Sequence, residues 1–438
     1  MMIVNAIGMP KTAPQIAAPN LATTPSAICE RLFRSPRNQP PTCRAGSEGK
    51  ASSDLGSTVG LVRAFLRGHL GPRPGLLAVG NRELLKPYKP FCFSQNMFLN
   101  IDWQGGLWGQ RGARGRGGVP CATDGDVSGN KERTMTKQVV AVLGGTGLQG
   151  GGVVDALTRA DKFSVRVASR NPAGDAARAL AARGVEVVRA DLLDPSSLRS
   201  GLEGAHGAFV VTNFWDPAQM PRETEIGTAA VQAARAAGVK HLIWSTLPDC
   251  EKLTGGRLKV AHFTGKARVD AAVKAAGFER HTFVMPPSYF QNFLTMMAPQ
   301  PLPNGGRGWA APIDPVARVM HAGDATEVGR AVAAAFAVGD QLPDGSYLAP
   351  CGGLYSFNDF VGTLNAQGHK LQVMQVPPGV YDGFYPGAHE LREMFQYFAE
   401  HTYFGPEHQR YIAAADALVP GGFTNFADWA REHMKAAA

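Results

Sequence analysis

Three observations in this 438-residue chain predict an α/β fold, a doubly wound parallel Rossmann sheet with a smaller C-terminal α/β part. The first is residues 139 to 152, VVAVLGGTGLQGGG, an apolar run that breaks into glycines and opens a helix. The second is a series of short apolar runs that follow it, and the third is the helical pattern filling the intervals. Short buried strands alternating with helices imply a parallel sheet covered on both faces.

In chain order, the expected strands are 139–143, 164–168, 185–189, 208–212, 241–245 and 282–285. Helices are expected at 153–160, 174–183, 195–203, 221–237 and 260–276. AARALAARG and AAVQAARAAG place small apolar residues at helical spacing and close on Gly184 and Gly238, as helix ends do. After Pro286-Pro287 come a strand at 371–376 and helices near 324–338, 389–400 and 424–435. This divides the chain into an extension at 1–134, a cofactor domain at 135–286 and a smaller C-terminal part at 287–438 that binds substrate or partner.

The glycine-rich turn points to a ligand. Gly144, Gly147 and Gly150 fall at G-x-x-G-x-x-G spacing. The first allows a sharp turn, the second lets phosphate approach the backbone, and the third lets helix pack on strand. The N–H groups and positive dipole end of the following helix favour a pyrophosphate. Arg170 closes the second apolar run, 20 residues after Gly150, where such folds face the adenine ribose. An arginine there pairs with the 2′-phosphate of NADP rather than the bare hydroxyl of NAD, so NADP(H) is the expected cofactor. The bland alternative is a solvated strand-end arginine.

Other strand ends add candidates with equally plain alternatives. Asp191 either reaches the adenine edge or caps a turn. Thr212 and Asn213, followed by Phe214 and Trp215, form either a ribose or nicotinamide wall or core packing. Ser245 either meets a ligand or satisfies a turn.

Charge excludes some classes. The net charge is +8, but residues 1–134 hold 17 Lys/Arg and 8 Asp/Glu, and the rest holds 27 and 28. The body is near neutral, so nucleic-acid binding is expected only through the extension, where QGGLWGQRGARGRGG (104–118) is Arg-Gly-rich. The extension is broken by Pro and Gly and reads as disordered or as translated upstream sequence, with Met135 like a natural start. Its longest helical candidate is 59–70. No run of 18 apolar residues occurs, so no membrane span is expected. The six cysteines form neither C-x-x-C nor a zinc pattern, which fits a reducing, cytoplasmic setting and no metal. Basic residues with Ser and Thr in the first 47 positions leave an organellar transit peptide as the alternative.

GGTGLQGGGVV, SRNP (169–172), VTNFW (211–215), LTGGRLKVAHFTGK (253–266) and PPSYFQNF (286–293) together resemble the NmrA-like family of atypical short-chain dehydrogenases, above all its NADP(H)-sensing members. The likeness runs from about Val139 to near the C-terminus. It implies that Gly144, Thr146, Gly147, Leu148, Gln149 and Gly150 hold the pyrophosphate, and that Lys266 contacts the nicotinamide ribose. The family includes transcriptional co-regulators, redox sensors, and reductases of quinone or phenylpropanoid type.

Short-chain dehydrogenases use Tyr-x-x-x-Lys on one helix, where the ammonium lowers the phenol's pKa. Here no tyrosine has a lysine four residues later; the matching spot is His262-x-x-x-Lys266. Histidine could act as acid–base, with the neighbouring ammonium favouring its neutral form. Packing and ligand contact are its plainer roles. Phe290, Phe293, Tyr381, Phe384, Tyr385, Phe395 and Phe398 either line an apolar pocket or form core. Two functions remain: a sensor whose NADP(H) occupancy changes its regulatory protein partners, favoured by the missing tyrosine, and an NADPH-dependent reductase of a quinone or similar electrophile, with His262 and Lys266 catalytic.

Overall fold

The computed structural model describes residues 137–436. The expectations for the extension, including its disorder, the 59–70 helix and the Arg-Gly run, lie outside the described residues.

The first half alternates strand and helix as the sequence implies. The strands are β1 (Val139–Leu143), β2 (Ser164–Ser169), β3 (Glu186–Arg189), β4 (Gly207–Val210), β5 (His241–Ser245) and β6 (Arg280–Val284). Between them lie α1 (Leu148–Ala160), α2 (Asp175–Ala182), α3 (Pro195–Leu202), α4 (Glu223–Ala236) and α5 (Ala261–Ala275). Later come β7 (Ser288–Tyr289), β8 (Gln300–Pro301), β9 (Arg307–Ala311), β10 (Met320–Gly323), β11 (Tyr347–Leu348), β12 (Gly353–Tyr355) and β13 (Leu371–Gln375). The later helices are α6 (Val328–Val338), α7 (Phe357–Ala366), α8 (Ala388–His401), α9 (His408–Leu418) and α10 (Phe426–His433).

The main sheet runs β3-β2-β1-β4-β5-β6-β11, and every pairing in it is parallel. The chain moves outward from β1 to β3, then crosses over to β4 and moves the other way. The reversal falls between β1 and β4, the position where such sheets bind ligand beyond their strand ends.

Strand alternation sends side chains to two cores. Val140, Val142 and Phe209 face α1 and α6, meeting Val153, Leu157, Val332 and Phe336. Ala141, Leu143, Leu242 and Trp244 face the other way, against Leu198, Val231, Val269 and Val273. Each fully buried large side chain contributes about 1.5–3 kcal/mol.

A boundary at 286 does not cut the main sheet cleanly. β11 pairs with β6, and α6 covers the face of α1, although both follow residue 287. The contact between α1 and α6 is close because both helices bare their backbone. A Cβ on Gly152 would lie 2.1 Å from Thr326 O, and one on Gly329 would lie 2.0 Å from Gly152 O.

The C-terminal part holds the small sheets β12-β10-β7 and β13-β9-β8 with α7, α8 and α10. Its core is aromatic. Phe290, Phe293, Tyr381, Phe395 and Phe398 are buried there, which favours the packing reading over a pocket lining, and Phe384 is exposed.

Candidate functional site

β1 delivers the chain to Gly144, whose φ of +76° lies in the left-handed region that glycine tolerates. Gly147 then takes the N-cap of α1 without a side-chain cap. Gly150 is the packing glycine, since a Cβ there would lie 2.2 Å from Gly144 O. Gly144, Thr146, Gly147 and Leu148 are exposed together, leaving an open backbone strip at the end of β1. The first intrahelical bond is Gly151 N–H to Gly147 O at 2.7 Å, so the N–H groups of Leu148, Gln149 and Gly150 precede it. Gln149 is buried, donates to the Tyr289 hydroxyl at 2.8 Å, and its Oε1 has no hydrogen-bond partner among the described residues. An exposed glycine backbone that side chains would fill and a helix N-terminus with free N–H groups fit a pyrophosphate, whereas the orphaned Gln149 Oε1, an acceptor, adds nothing toward an anion.

Arg170 follows the last residue of β2 and is half exposed. Its Nη1 lies 2.9 Å from Asp216 Oδ2, in the loop after β4. Asp191, just past β3, accepts from Leu193 N–H at 3.0 Å, the turn-capping reading of that residue. Asn213 is exposed, and its Oδ1 accepts from Trp215 N–H at 3.2 Å.

Lys266 is placed differently from an open cofactor contact. It is buried on α5, and Nζ donates to Thr212 O at 2.9 Å, Thr212 Oγ1 at 2.9 Å and Glu223 Oε1 at 2.6 Å. An ammonium has three donors, and all three are committed. Thr212 is buried and donates in turn to Glu223 Oε1 at 2.7 Å. Gly265 makes the room: a Cβ there would lie 2.8 Å from Glu223 Oε2.

His262 lies one turn earlier on α5, its Nδ1 2.8 Å from Glu390 Oε1 of α8. The ring sits against Phe214 and Trp215, with centroids 5.7 and 5.1 Å away. Nε2 makes no hydrogen bond among the described residues. Burial pushes the Glu390 carboxyl up, but the hydrogen bond and charge of His262 overcome it and leave it below the usual value. The sequence expectation that Lys266 sets the charge around His262 needs correcting, because Glu223 balances Lys266 and a carboxylate faces the imidazole. Ser245 is also reassigned. It is fully buried, with its Oγ unpartnered among the described residues, so it is closed to a ligand here.

A cavity of about 840 Å³ lies on the outer side of this cluster, along α4 and α5, lined by Phe214, Glu223, Gly265 and Arg268 among others. It does not include the glycine turn. Among the described residues there is no cluster fit to hold a metal and no helix long and apolar enough to cross a membrane.

Sheet order, glycine turn and strand-end residues define a protein with an NAD(P)-binding Rossmann-type fold. The model of the NmrA-like family matches residues 136–430, and the chain belongs to that family. It is 39% identical over 161 residues to the NmrA-like family domain-containing oxidoreductase FrzB of Cladobotryum sp, covering 36% of this chain and 48% of that one. It is 38% identical over 160 residues to himF of Aspergillus japonicus, with the same coverage. The chain thus spans about half the length of these curated relatives. Among solved structures, NmrA, a negative transcriptional regulator, in complex with NAD matches at TM-score 0.58 and 26% identity, over 68% of this chain and 96% of that one. Its complex with NADP matches at 0.57 and 26%, with the same coverage. The NADPH-dependent quinone oxidoreductase QOR2 of Escherichia coli shares the fold at TM-score 0.55 and 19% identity, over 67% and 99% of the two chains.

Proposed function

We propose that this protein binds NADP(H) and reports its occupancy to a regulatory protein partner, without the proton chemistry of a short-chain dehydrogenase. One observation carries the reading: Lys266 spends all three donors on Thr212 and Glu223. A lysine so held cannot tune a phenol, and no tyrosine stands four residues before it. Gly144, Thr146, Gly147, Leu148, Gln149 and Gly150 would hold the pyrophosphate, Arg170 the 2′-phosphate, and Asp191, Thr212 and Asn213 the flanks. Residues 135–286 would carry the cofactor and 287–438 the face that meets a partner. NmrA, similar over most of its own length, is a negative transcriptional regulator, which supports this direction. A cytoplasmic setting agrees with Cys250 and Cys351 being free thiols among the described residues.

A second reading has its own support. His262 with Glu390 forms an imidazole–carboxylate pair beside two aromatic rings, and the curated relatives are named oxidoreductases. NADPH supplies hydride when bound, and His262 Nε2 would supply the proton to a quinone or similar electrophile.

One experiment separates the two. The full-length protein is titrated with NADPH by calorimetry and then incubated with NADPH and a panel of quinones and enones. Tight binding without steady oxidation is expected. Sustained NADPH consumption selects the reductase reading.

A further inference from the structure

Asp216 is a residue that the fold and the cofactor reading leave without a role. It lies in the loop after β4, whereas Arg170 follows β2, and β1 runs between those strands. The pair therefore bridges the two strands that flank the glycine turn. Arg170 is the exposed partner, at 58% of its side-chain surface, and Asp216 the covered one, at 17%.

The carboxylate is held by its own loop. Asp216 Oδ1 accepts from Ala218 N–H at 3.1 Å, and Oδ2 accepts from Gln219 Nε2 at 3.3 Å. The Asp216 carbonyl accepts from the N–H groups of Gln219 at 2.8 Å and Met220 at 2.9 Å, and its N–H donates to Asn213 O at 3.1 Å. Arg170 contributes a long side chain whose Nη1 is its one engaged nitrogen among the described residues. When the guanidinium turns to another anion, Asp216 stays where it is.

We infer that Asp216 is a specificity-determining residue that blunts the protein's preference for NADP(H) over NAD(H). A 2′-phosphate meeting Arg170 either takes the guanidinium from Asp216 or shares it. The first course forfeits an existing ion pair, and the second sets phosphate and carboxylate side by side at a like-charge cost. NAD(H) has no 2′-phosphate and incurs neither penalty. The inference rests on the reading of Arg170 as the 2′-phosphate contact.

The test is Asp216→Asn in the full-length protein, because the amide oxygen can still accept from Ala218 N–H and keep the loop. NADPH and NADH are titrated separately into the unmutated protein, Asp216→Asn, Arg170→Ala and the double variant. In Asp216→Asn, NADPH affinity should rise about three- to tenfold, the scale of an exposed ion pair plus a removed repulsion, with NADH nearly unchanged. The gain should shrink in high salt, where the screening length falls to about 3 Å at 1 M. With Arg170 absent, removing Asp216 should change the NADPH/NADH ratio far less. An unchanged or lower ratio in Asp216→Asn, with Arg170→Ala collapsing it, would overturn the role of Asp216 alone. If Arg170→Ala leaves the ratio untouched, the cofactor reading itself fails.

Discussion

Lys266 Nζ lies 2.6 Å from Glu223 Oε1 with both side chains buried, and the pair ties α5 to the first residue of α4 at the end of β4. Glu223 Oε2 has no partner among the described residues, so the lysine is the principal compensation for a buried carboxylate. Breaking such a pair from one side is expensive because the remaining charge has nowhere to go.

Lys266→Met should therefore destabilise the fold by about 3–5 kcal/mol. Adding Glu223→Gln should recover much of that loss by removing the stranded charge. Urea unfolding of the two variants checks this. NADPH binding should also weaken in Lys266→Met, through distortion of the β4 end. Equal stability of the single and double variants would show that the pair has no such role.

The α1–α6 contact predicts a purely steric effect. Gly329→Ala places a methyl 2.0 Å from Gly152 O, which is backbone and cannot swing aside. The helices must separate, and overpacking of this kind typically costs about 1–3 kcal/mol. Thermal unfolding should show the loss, while the neighbouring Gly151→Ala, whose Cβ lies 3.6 Å from Gly145 O, should cost much less.

These contacts explain what sequence could and could not convey. β1 and β5 are readable to the residue, since the first has five apolar positions in a row and the second an apolar Leu-Ile-Trp core between polar ends. The start of α1 is not: it begins at Leu148 rather than 153, because three consecutive glycines have poor helix propensity, and two of them, Gly150 and Gly152, stand where close packing leaves no room for a Cβ. β11, two residues long, carries no pattern at all. At the site, the position of the glycine turn ahead of α1 and of Arg170 just past β2 is legible from spacing. The counter-ions are not, because Asp216, Glu223 and Glu390 stand 46, 43 and 128 residues from Arg170, Lys266 and His262. No local periodicity records such pairings.

Acid should weaken the protein through buried histidines. Burial pushes the His321 imidazole down to about 3, helped by nearby His408, and burial with Arg280 pushes His241 down to about 4. Their folded values lie below the unfolded value near 6.5, so the unfolded chain takes up protons first as pH falls. Their contribution is whole above pH 6.5 and is lost progressively toward pH 4 and 3. Each histidine steepens the dependence by at most about 1.4 kcal/mol per pH unit. Urea unfolding between pH 7 and 5 should show a shallower slope in His321→Phe, whatever its absolute stability. An unchanged slope would mean that His321 titrates alike in both states.

The last prediction concerns His262 and Glu390. His262→Phe keeps a flat ring against Phe214 and Trp215, so NADPH affinity should change little. Its proton chemistry is gone, and Glu390 loses the partner that holds its carboxyl below the usual value. In a sensor there is no turnover to lose, and none is expected in the unmutated protein. In a reductase, removing a true proton donor should cost at least about 10²-fold, the lower end of what general acid–base catalysis supplies. Glu390→Gln then separates positioning from chemistry: the imidazole keeps a hydrogen-bond acceptor but loses the facing charge. It should move the pH profile of turnover more than it moves KM. If unmutated protein oxidises NADPH steadily and His262→Phe slows it less than tenfold, His262 is packing or a ligand contact, and the proton comes from elsewhere.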